Sequence, residues 1–130
     1  MYLILLLAML FCHIVDDFYL QGVLAHMKQK AWWTQNVPDP LYENDYKVAL
    51  MLHALSWSCC IHIPIGVHMA YTGWYYEKIL FLIIFVADWL IHAVVDDLKA
   101  NKRRINLIQD QTVHIIQVIL TWVLYVWVVM

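Results

Sequence analysis

Four long apolar stretches dominate this sequence, at about 1–24, 48–70, 78–96 and 111–130. Each is long enough to cross the ~30 Å hydrocarbon core of a bilayer as an α-helix, which takes roughly 17–25 residues. The chain is 64% hydrophobic and 14% charged, whereas about a quarter of the residues in a soluble domain are charged. The pattern therefore predicts an all-α, integral membrane four-helix bundle that forms one domain over 1–130.

The predicted helices cover about 1–26, 47–70, 78–98 and 110–130, and a surface loop covers about 28–46. The first stretch lacks the basic start and the small-residue cleavage site of a signal peptide, so we expect it to remain as a helix. The later two connections are short, so neighbouring helices should run antiparallel. A bundle of four spans often self-associates, and a homo-oligomer stays open, although the sequence contains no Gly-x-x-x-Gly motif.

The distribution of basic residues predicts the orientation of these helices. Seven of the eight lie in or beside the first and third connections: Lys28, Lys30, Lys47, Lys99, Lys102, Arg103 and Arg104. Because positive charge marks cytoplasmic loops, both termini should lie on the outer side. Aromatic residues that favour the water–lipid interface surround the predicted outer turn: Tyr71, Trp74, Tyr75 and Tyr76.

Histidine and aspartate recur four residues apart near the predicted cytoplasmic ends of the helices. These residues are His13 and Asp17, His92 and Asp96, and Asp110 and His114, with His53 a turn or two into the second helix. Residues four apart share a helix face. We therefore predict that all four helices direct these side chains into one pocket beside the inner leaflet.

Imidazole and carboxylate groups are the usual ligands of Zn²⁺, Mn²⁺ and Fe²⁺. A set of seven could hold one or two ions, and a dication would neutralise carboxylates that are costly within a membrane. The predicted ligands are His13, Asp17, His53, His92, Asp96, Asp110 and His114. Asp88 is expected to orient the His92 imidazole from behind, with a role as a further ligand as the alternative. Asp16, about 100° away from Asp17, is expected to lie at the surface or behind the ligands.

Simpler interpretations compete with each part of this site. One His–Asp pair is equally well explained by a hydrogen bond between helices, and only the convergence of three pairs favours a metal. His62 and His68, in the outer half of the second helix, are expected to pack or to form hydrogen bonds. The basic run from Lys99 to Arg104 is first a topology signal, although it could also bind a phosphate-bearing head group.

Four of these motifs, taken in order, resemble those of a known family. FCHIVDDFYLQ resembles the motif His-x-x-x-Asp-Phe-x-Leu-Gln, and LHA at 52–54 resembles a second-helix histidine motif. HAVVDDLK resembles the motif His-x-x-x-Asp-x-x-Lys, and DQTVH resembles the motif Asp-Gln-x-x-His. The family comprises small polytopic membrane proteins of bacteria and phages with a domain of unknown function, and a looser similarity extends to membrane-bound metal-dependent hydrolases. The resemblance implies a bacterial inner-membrane protein, while the distribution of basic residues predicts that its site faces the cytoplasm. Residues from about 31 to 46 have no counterpart in it.

The leading functional hypothesis is a membrane metalloenzyme that hydrolyses a phosphoester or similar bond in a lipid or amphiphile at the cytoplasmic interface. Lys99 would stabilise developing negative charge, while Gln111 and Gln21 would orient ligands or substrate. A net charge of −2 argues against a nucleic-acid partner. The alternatives are a metal carrier or sensor without catalysis, a haem-binding bundle, and a structural membrane protein without a site.

Overall fold

The computed structural model of the chain describes residues 1–73 and 78–129 and is all α within them. The helices are α1 (Tyr2–Val15), α2 (Leu24–Met27), α3 (Lys30–Asn36), α4 (Asp45–Thr72), α5 (Lys78–Ala100) and α6 (Leu107–Val129). The predicted all-α class with four long helices is confirmed, and α1, α4, α5 and α6 are each part of a segment long and apolar enough to cross a membrane. Trp74, Tyr75 and Tyr76 of the predicted outer turn lie outside the described residues.

The four long helices form a ring in which α1 and α5 each pack against both α4 and α6. The apolar core is formed by Leu5, Met9, Trp57, Ile61, Ile65, Val118 and Tyr125. Large apolar side chains also cover the outside, and Leu3, Ile4 and Phe11 are each at least 65% exposed. An apolar exterior around buried ionisable groups is the arrangement expected of a bundle surrounded by lipid.

The first helix differs from its predicted extent at its end. At Asp16 it widens into one π-helical turn, Asp16–Leu20, in which the Gln21 amide donates to the Asp16 carbonyl at 3.1 Å. Gly22 then takes φ +47°, a left-handed conformation that glycine adopts at little cost. The prediction extended this helix to about residue 26. The turn and Gly22 instead redirect the chain, so that Lys28 becomes buried.

The first connection contains helix α3 and is hydrogen-bonded to the end of α5, rather than forming only a surface loop. Asn101 Oδ1 accepts from the Lys30 amide at 2.7 Å, and its Nδ2 donates to the Lys28 carbonyl at 3.1 Å and to Asp97 Oδ1 at 2.9 Å. Trp33 Nε1 donates to the Met27 carbonyl at 2.6 Å. These bonds place the segment across one end of the bundle.

Helix α6 begins at a reciprocal cap. The Gln109 amide donates to Asn106 Oδ1 at 2.9 Å, and the Asn106 amide donates to Gln109 Oε1 at 3.0 Å. This capping box starts the helix at Leu107, about one turn before the predicted start. Asp110 therefore lies in the first turn of α6, and His114 lies one turn further along.

Replacing Asn101 by alanine should loosen the first connection without unfolding the bundle. Each lost hydrogen bond stabilises by about 0.5–1.5 kcal/mol, so we expect amide exchange across residues 28–36 to rise roughly tenfold, with α4 and α6 unchanged. Hydrogen exchange with mass spectrometry in detergent would measure it. Asn36→Ala is the matched control, because the Asn36 side chain donates within α3, to the Trp32 carbonyl. Equal amide exchange in the two variants would contradict the role of Asn101 in holding the first connection.

Candidate metal centre

Six histidine and aspartate side chains from all four long segments meet near one end of the bundle, and none is more than 4% exposed. Within the described residues they form three groups whose potential ligand atoms lie within 4.8 Å of one another. The groups are Asp17, His53 and His92; His92, Asp96 and His114; and Asp17, Asp110 and His114. Because the groups share members, the six residues form one continuous cluster that could bind metal.

The first half of the cluster surrounds the His53 ring. His53 Nε2 lies 3.3 Å from His92 Nε2, 3.3 Å from Asp17 Oδ1 and 3.2 Å from Asp96 Oδ2. Nitrogen and oxygen ligands around a tetrahedral ion at 2.0–2.1 Å stand about 3.3 Å apart. His53 Nε2 therefore lies at such a separation from three possible ligand atoms, and His92 Nε2 lies 3.8 Å from Asp96 Oδ2.

The second half surrounds the His114 ring. His114 Nε2 lies 3.6 Å from Asp96 Oδ1 and 3.4 Å from Asp110 Oδ1. All three atoms are buried and have no hydrogen-bond partner in the described part of the chain. Buried polar atoms are rarely left without a partner, so three that converge mark a position suited to a cation. Asp96 directs one oxygen into each half, with Oδ2 toward His53 and Oδ1 toward His114.

Gln117 fixes which nitrogen of His114 faces the carboxylates. Gln117 Nε2 donates to Asp88, at 3.2 Å to the carbonyl and 3.3 Å to Oδ1, so its Oε1 accepts from His114 Nδ1 at 3.2 Å. The His114 proton then resides on Nδ1, and the Nε2 lone pair faces Asp96 and Asp110. In a neutral ring this lone pair needs a cation between it and the carboxylates, whereas in a protonated ring the Nε2–H donates to them instead.

Asp88 was predicted to orient His92, but its contacts lie elsewhere. Its carboxylate accepts from Thr121 Oγ1 at 2.6 Å and from Gln117, because α6 packs against this face of α5. It therefore supports His114 through Gln117. His92 Nδ1 has no hydrogen-bond partner among the described residues.

Ring stacking positions His92 instead. Its ring lies between Trp57, at a centroid distance of 4.2 Å and 21° between planes, and His114, at 4.0 Å and 28°. Trp57 is fully buried and therefore acts as a rigid wall of the cluster. Stacking sets the plane of the His92 ring and directs its Nε2 toward His53.

His13, a predicted ligand, lies beside the cluster and belongs to none of the three groups found among the described residues. It is buried, and its Nδ1 accepts from Trp57 Nε1 at 2.8 Å. In a neutral ring the proton must then be on Nε2, which excludes that nitrogen as a ligand. The spacing of four from Asp17 placed His13 on the correct face, but it could not give the direction of the ring nitrogens.

The two predicted glutamines hold parts of the cluster in different ways. Gln111 Nε2 donates to Asp17 Oδ2 at 2.6 Å and to Asp110 Oδ2 at 3.1 Å, and so joins carboxylates from two helices. Gln21 Nε2 donates to the backbone carbonyl of Asp17. Gln111 thus orients side chains of the cluster, whereas Gln21 stabilises the backbone of the π-helical turn.

Two lysines contact the carboxylates directly. Lys28 Nζ lies 2.5 Å from Asp96 Oδ2, and Lys99 Nζ lies 2.5 Å from Asp110 Oδ2 and 3.8 Å from Asp96 Oδ1. The sequence singled out Lys99, but Lys28 was read only as a topology signal. No spacing rule could have identified Lys28, because its approach to Asp96 depends on the turn at Gly22.

The remaining candidates lie outside the cluster. Asp16, placed by prediction at the surface or behind the ligands, is fully buried and accepts from Ser56 Oγ at 2.6 Å. His62 Nδ1 lies 2.8 Å from the Ser58 carbonyl, and His68 Nδ1 lies 2.7 Å from the Tyr125 hydroxyl. The two histidines therefore make the kind of hydrogen bond expected of them.

Comparison of the chain with protein-family models, curated proteins and solved structures gives no match. The family resemblance of the four motifs therefore stays a prediction. The functional argument rests on the geometry of the cluster.

Substitutions of Trp57 test whether its contacts with His92 and His13 stabilise the cluster. Trp57→Phe keeps an aromatic ring against His92 but removes the N–H that His13 accepts, so we expect a loss of about 1–3 kcal/mol in unfolding free energy. Trp57→Ala also leaves a cavity and should lose about 3–5 kcal/mol. Unfolding in mixed micelles would measure both. Trp127→Phe is the control, since Trp127 is 78% exposed; a Trp57→Phe value equal to the control would refute the role.

Proposed function

We propose that this chain is an integral membrane, metal-dependent hydrolase whose centre holds two divalent ions, with Zn²⁺, Mn²⁺ or Fe²⁺ as candidates. The proposal is carried by one observation: Asp96 Oδ1, Asp110 Oδ1 and His114 Nε2 converge while buried, and none of them has a hydrogen-bond partner among the described residues. The second oxygen of Asp96 faces the atoms around His53. The proposed ligands are Asp17, His53, His92, Asp96, Asp110 and His114.

Two adjacent dications would act as a Lewis acid and lower the pKa of a bound water, which is the chemistry of many hydrolases. The residues of the chain would hold the ligands and the substrate. Gln111 donates to Asp17 of the π-helical turn and to Asp110 of α6, and so keeps these two carboxylates in register. Lys99, whose side chain is 25% exposed, would stabilise negative charge that develops at the edge of the centre.

The substrate that fits this position is a phosphoester or similar bond in a phospholipid, a lipid-linked phosphate or another amphiphile. The cluster lies toward one end of helices long enough to cross a membrane, at a depth that a lipid head group can reach. We propose that this end faces the cytoplasm and that both termini lie outside, because basic residues flank it and positive charge marks cytoplasmic loops. Side-selective labelling of a cysteine introduced at Lys102, in a cysteine-free background, would test this orientation.

A metal-ion carrier is the second candidate, because polar side chains continue beyond the cluster. His62 Nε2 lies 3.7 Å from Asp88 Oδ2, and the His68–Tyr125 bond lies further along α4 and α6. An enzyme would release product from a phosphodiester or phospholipid and lose this activity with a chelator. A carrier would instead give metal flux into proteoliposomes without turnover.

A haem-binding bundle is less compatible with the geometry. Two axial histidine nitrogens stand about 4 Å apart across the iron, on opposite sides of a porphyrin ring. His53 and His92 have their Nε2 atoms 3.3 Å apart, and the His92 ring stacks on both Trp57 and His114. No porphyrin fits between these rings, so we expect no Soret band.

The metal centre can be tested with two neighbouring aspartates. Asp17→Asn should lower the metal content measured by elemental analysis of the purified protein, because it removes a charged ligand. Asp16→Asn is the matched control, since Asp16 is equally buried but accepts from Ser56 instead. His53→Ala and Asp110→Ala should each remove about one ion, from different halves of the centre. Unchanged metal content in all three site variants would exclude the proposed centre.

A further inference from the structure

We propose that Lys28 and Lys99 form an anion-binding pair that receives a phosphate group once metal ions occupy the centre. This inference rests on the proposed function and extends it, because it names the class of ligand: a tetrahedral oxyanion with about two negative charges. It also assigns a binding role to Lys28, which no sequence motif identified.

The two ammonium groups approach the same carboxylate from different parts of the chain. Lys28, between α2 and α3, contacts Asp96 Oδ2, while Lys99, on α5, lies near Asp96 Oδ1 and contacts Asp110. The Lys28 side chain is 6% exposed and the Lys99 side chain 25% exposed. Lys28 therefore lies within the centre and Lys99 at its open edge, so an anion entering past Lys99 would meet both.

The charge of the centre changes sign when metal binds. Asp17, Asp96 and Asp110 carry three negative charges, and the two lysines leave a net charge of one negative if the imidazoles are neutral. Two divalent ions would change that to three positive charges. In a poorly solvated site, an unbalanced charge of this size is costly, so the metal-loaded centre requires an anion.

The lysines also become more available to an anion when metal is present. Without ions, Asp96 and Asp110 each accept an ammonium group at 2.5 Å. Once these carboxylates coordinate ions, their attraction for the lysines falls. An ammonium group has three N–H donors, and a carboxylate contact uses one, so each lysine has donors left for a second oxyanion.

A phosphate group matches this arrangement better than a carboxylate does. Some non-bridging oxygens of a phosphate group can face the ions while others accept hydrogen bonds from the lysines. A carboxylate has only two oxygens to share between the ions and the lysines. Lysine binds phosphate as a compact point charge that needs no planar geometry. Binding of metal and of phosphate should therefore be mutually favourable, and by linkage each must raise the affinity of the other by the same factor.

Isothermal titration of the full chain in an uncharged detergent would test this proposal, with inorganic phosphate as the probe. Metal-loaded protein should bind phosphate at least tenfold more tightly than metal-free protein. Lys28→Gln and Lys99→Gln should each weaken that binding roughly tenfold, about 1.4 kcal/mol, while the metal content stays that of the unmodified chain. Lys102→Gln is the matched control, because Lys102 pairs with Asp97 outside the cluster at 2.8 Å.

The possible results separate this proposal from the one on which it rests. A chain that binds no metal would refute the proposed function. A chain that binds metal, but whose two lysine variants bind phosphate as the control does, would overturn the anion site alone. If Lys28→Gln fails to fold, Lys99→Gln decides the matter by itself, because Lys99 lies at the exposed edge.

A second titration distinguishes the two sources of the phosphate group. A short-chain phosphatidic acid that binds more tightly than inorganic phosphate would support the site and assign it to a lipid head group. Equal affinities would support the site and assign it to a free phosphate or a soluble phosphate ester.

Discussion

Three carboxylates buried in one small volume are the constraint on which this structure depends. Asp17, Asp96 and Asp110 are at most 4% exposed, and many large apolar side chains cover the outside of the bundle that contains them. Removing such groups from water is costly, and their mutual repulsion adds to the cost, unless opposite charge lies within contact distance. The π-helical turn and Gly22 bury Lys28 beside Asp96, and the last turn of α5 brings Lys99 to Asp110. These irregular features therefore have an electrostatic reason, and the excess of acceptor atoms that remains is the reason to expect metal ions.

Asp96 connects the parts of the cluster because its helix, α5, lies between α4 and α6 in the ring. One oxygen faces His53 of α4 and Lys28 of the first connection, while the other faces His114 of α6. Trp57 completes the arrangement without any charge, since it stacks on His92 and donates to His13. A close-packed aromatic wall limits the rotamers of the rings around it. Such packing could keep ligand atoms near their positions before an ion binds.

The sequence was sufficient to predict the four long helices and the meeting of their histidines and aspartates. Both follow from regular helix geometry, in which length determines a span and a spacing of four determines a face. The π-helical turn could not be predicted, because nothing in DDFYL distinguishes it from ordinary helix. The roles of His13 and Asp88 depend on which ring nitrogen or helix faces them, and spacing carries no such information. Lys28 was missed because its contact with Asp96 joins residues 68 positions apart through a turn that only the fold reveals.

The two sides of the centre differ in how firmly the chain covers them, and this bears on the choice between an enzyme and a carrier. Near Lys28, the first connection is fixed by the hydrogen bonds of Asn101 and Trp33. Near Lys99, a short connection leads to the capped start of α6 and leaves the side chain partly exposed. A carrier must open its site alternately toward two sides, whereas an enzyme needs only one entrance and a rigid far wall. Among the described residues Lys28 is enclosed and Lys99 is partly exposed, and this unequal cover favours the proposed enzyme over a carrier.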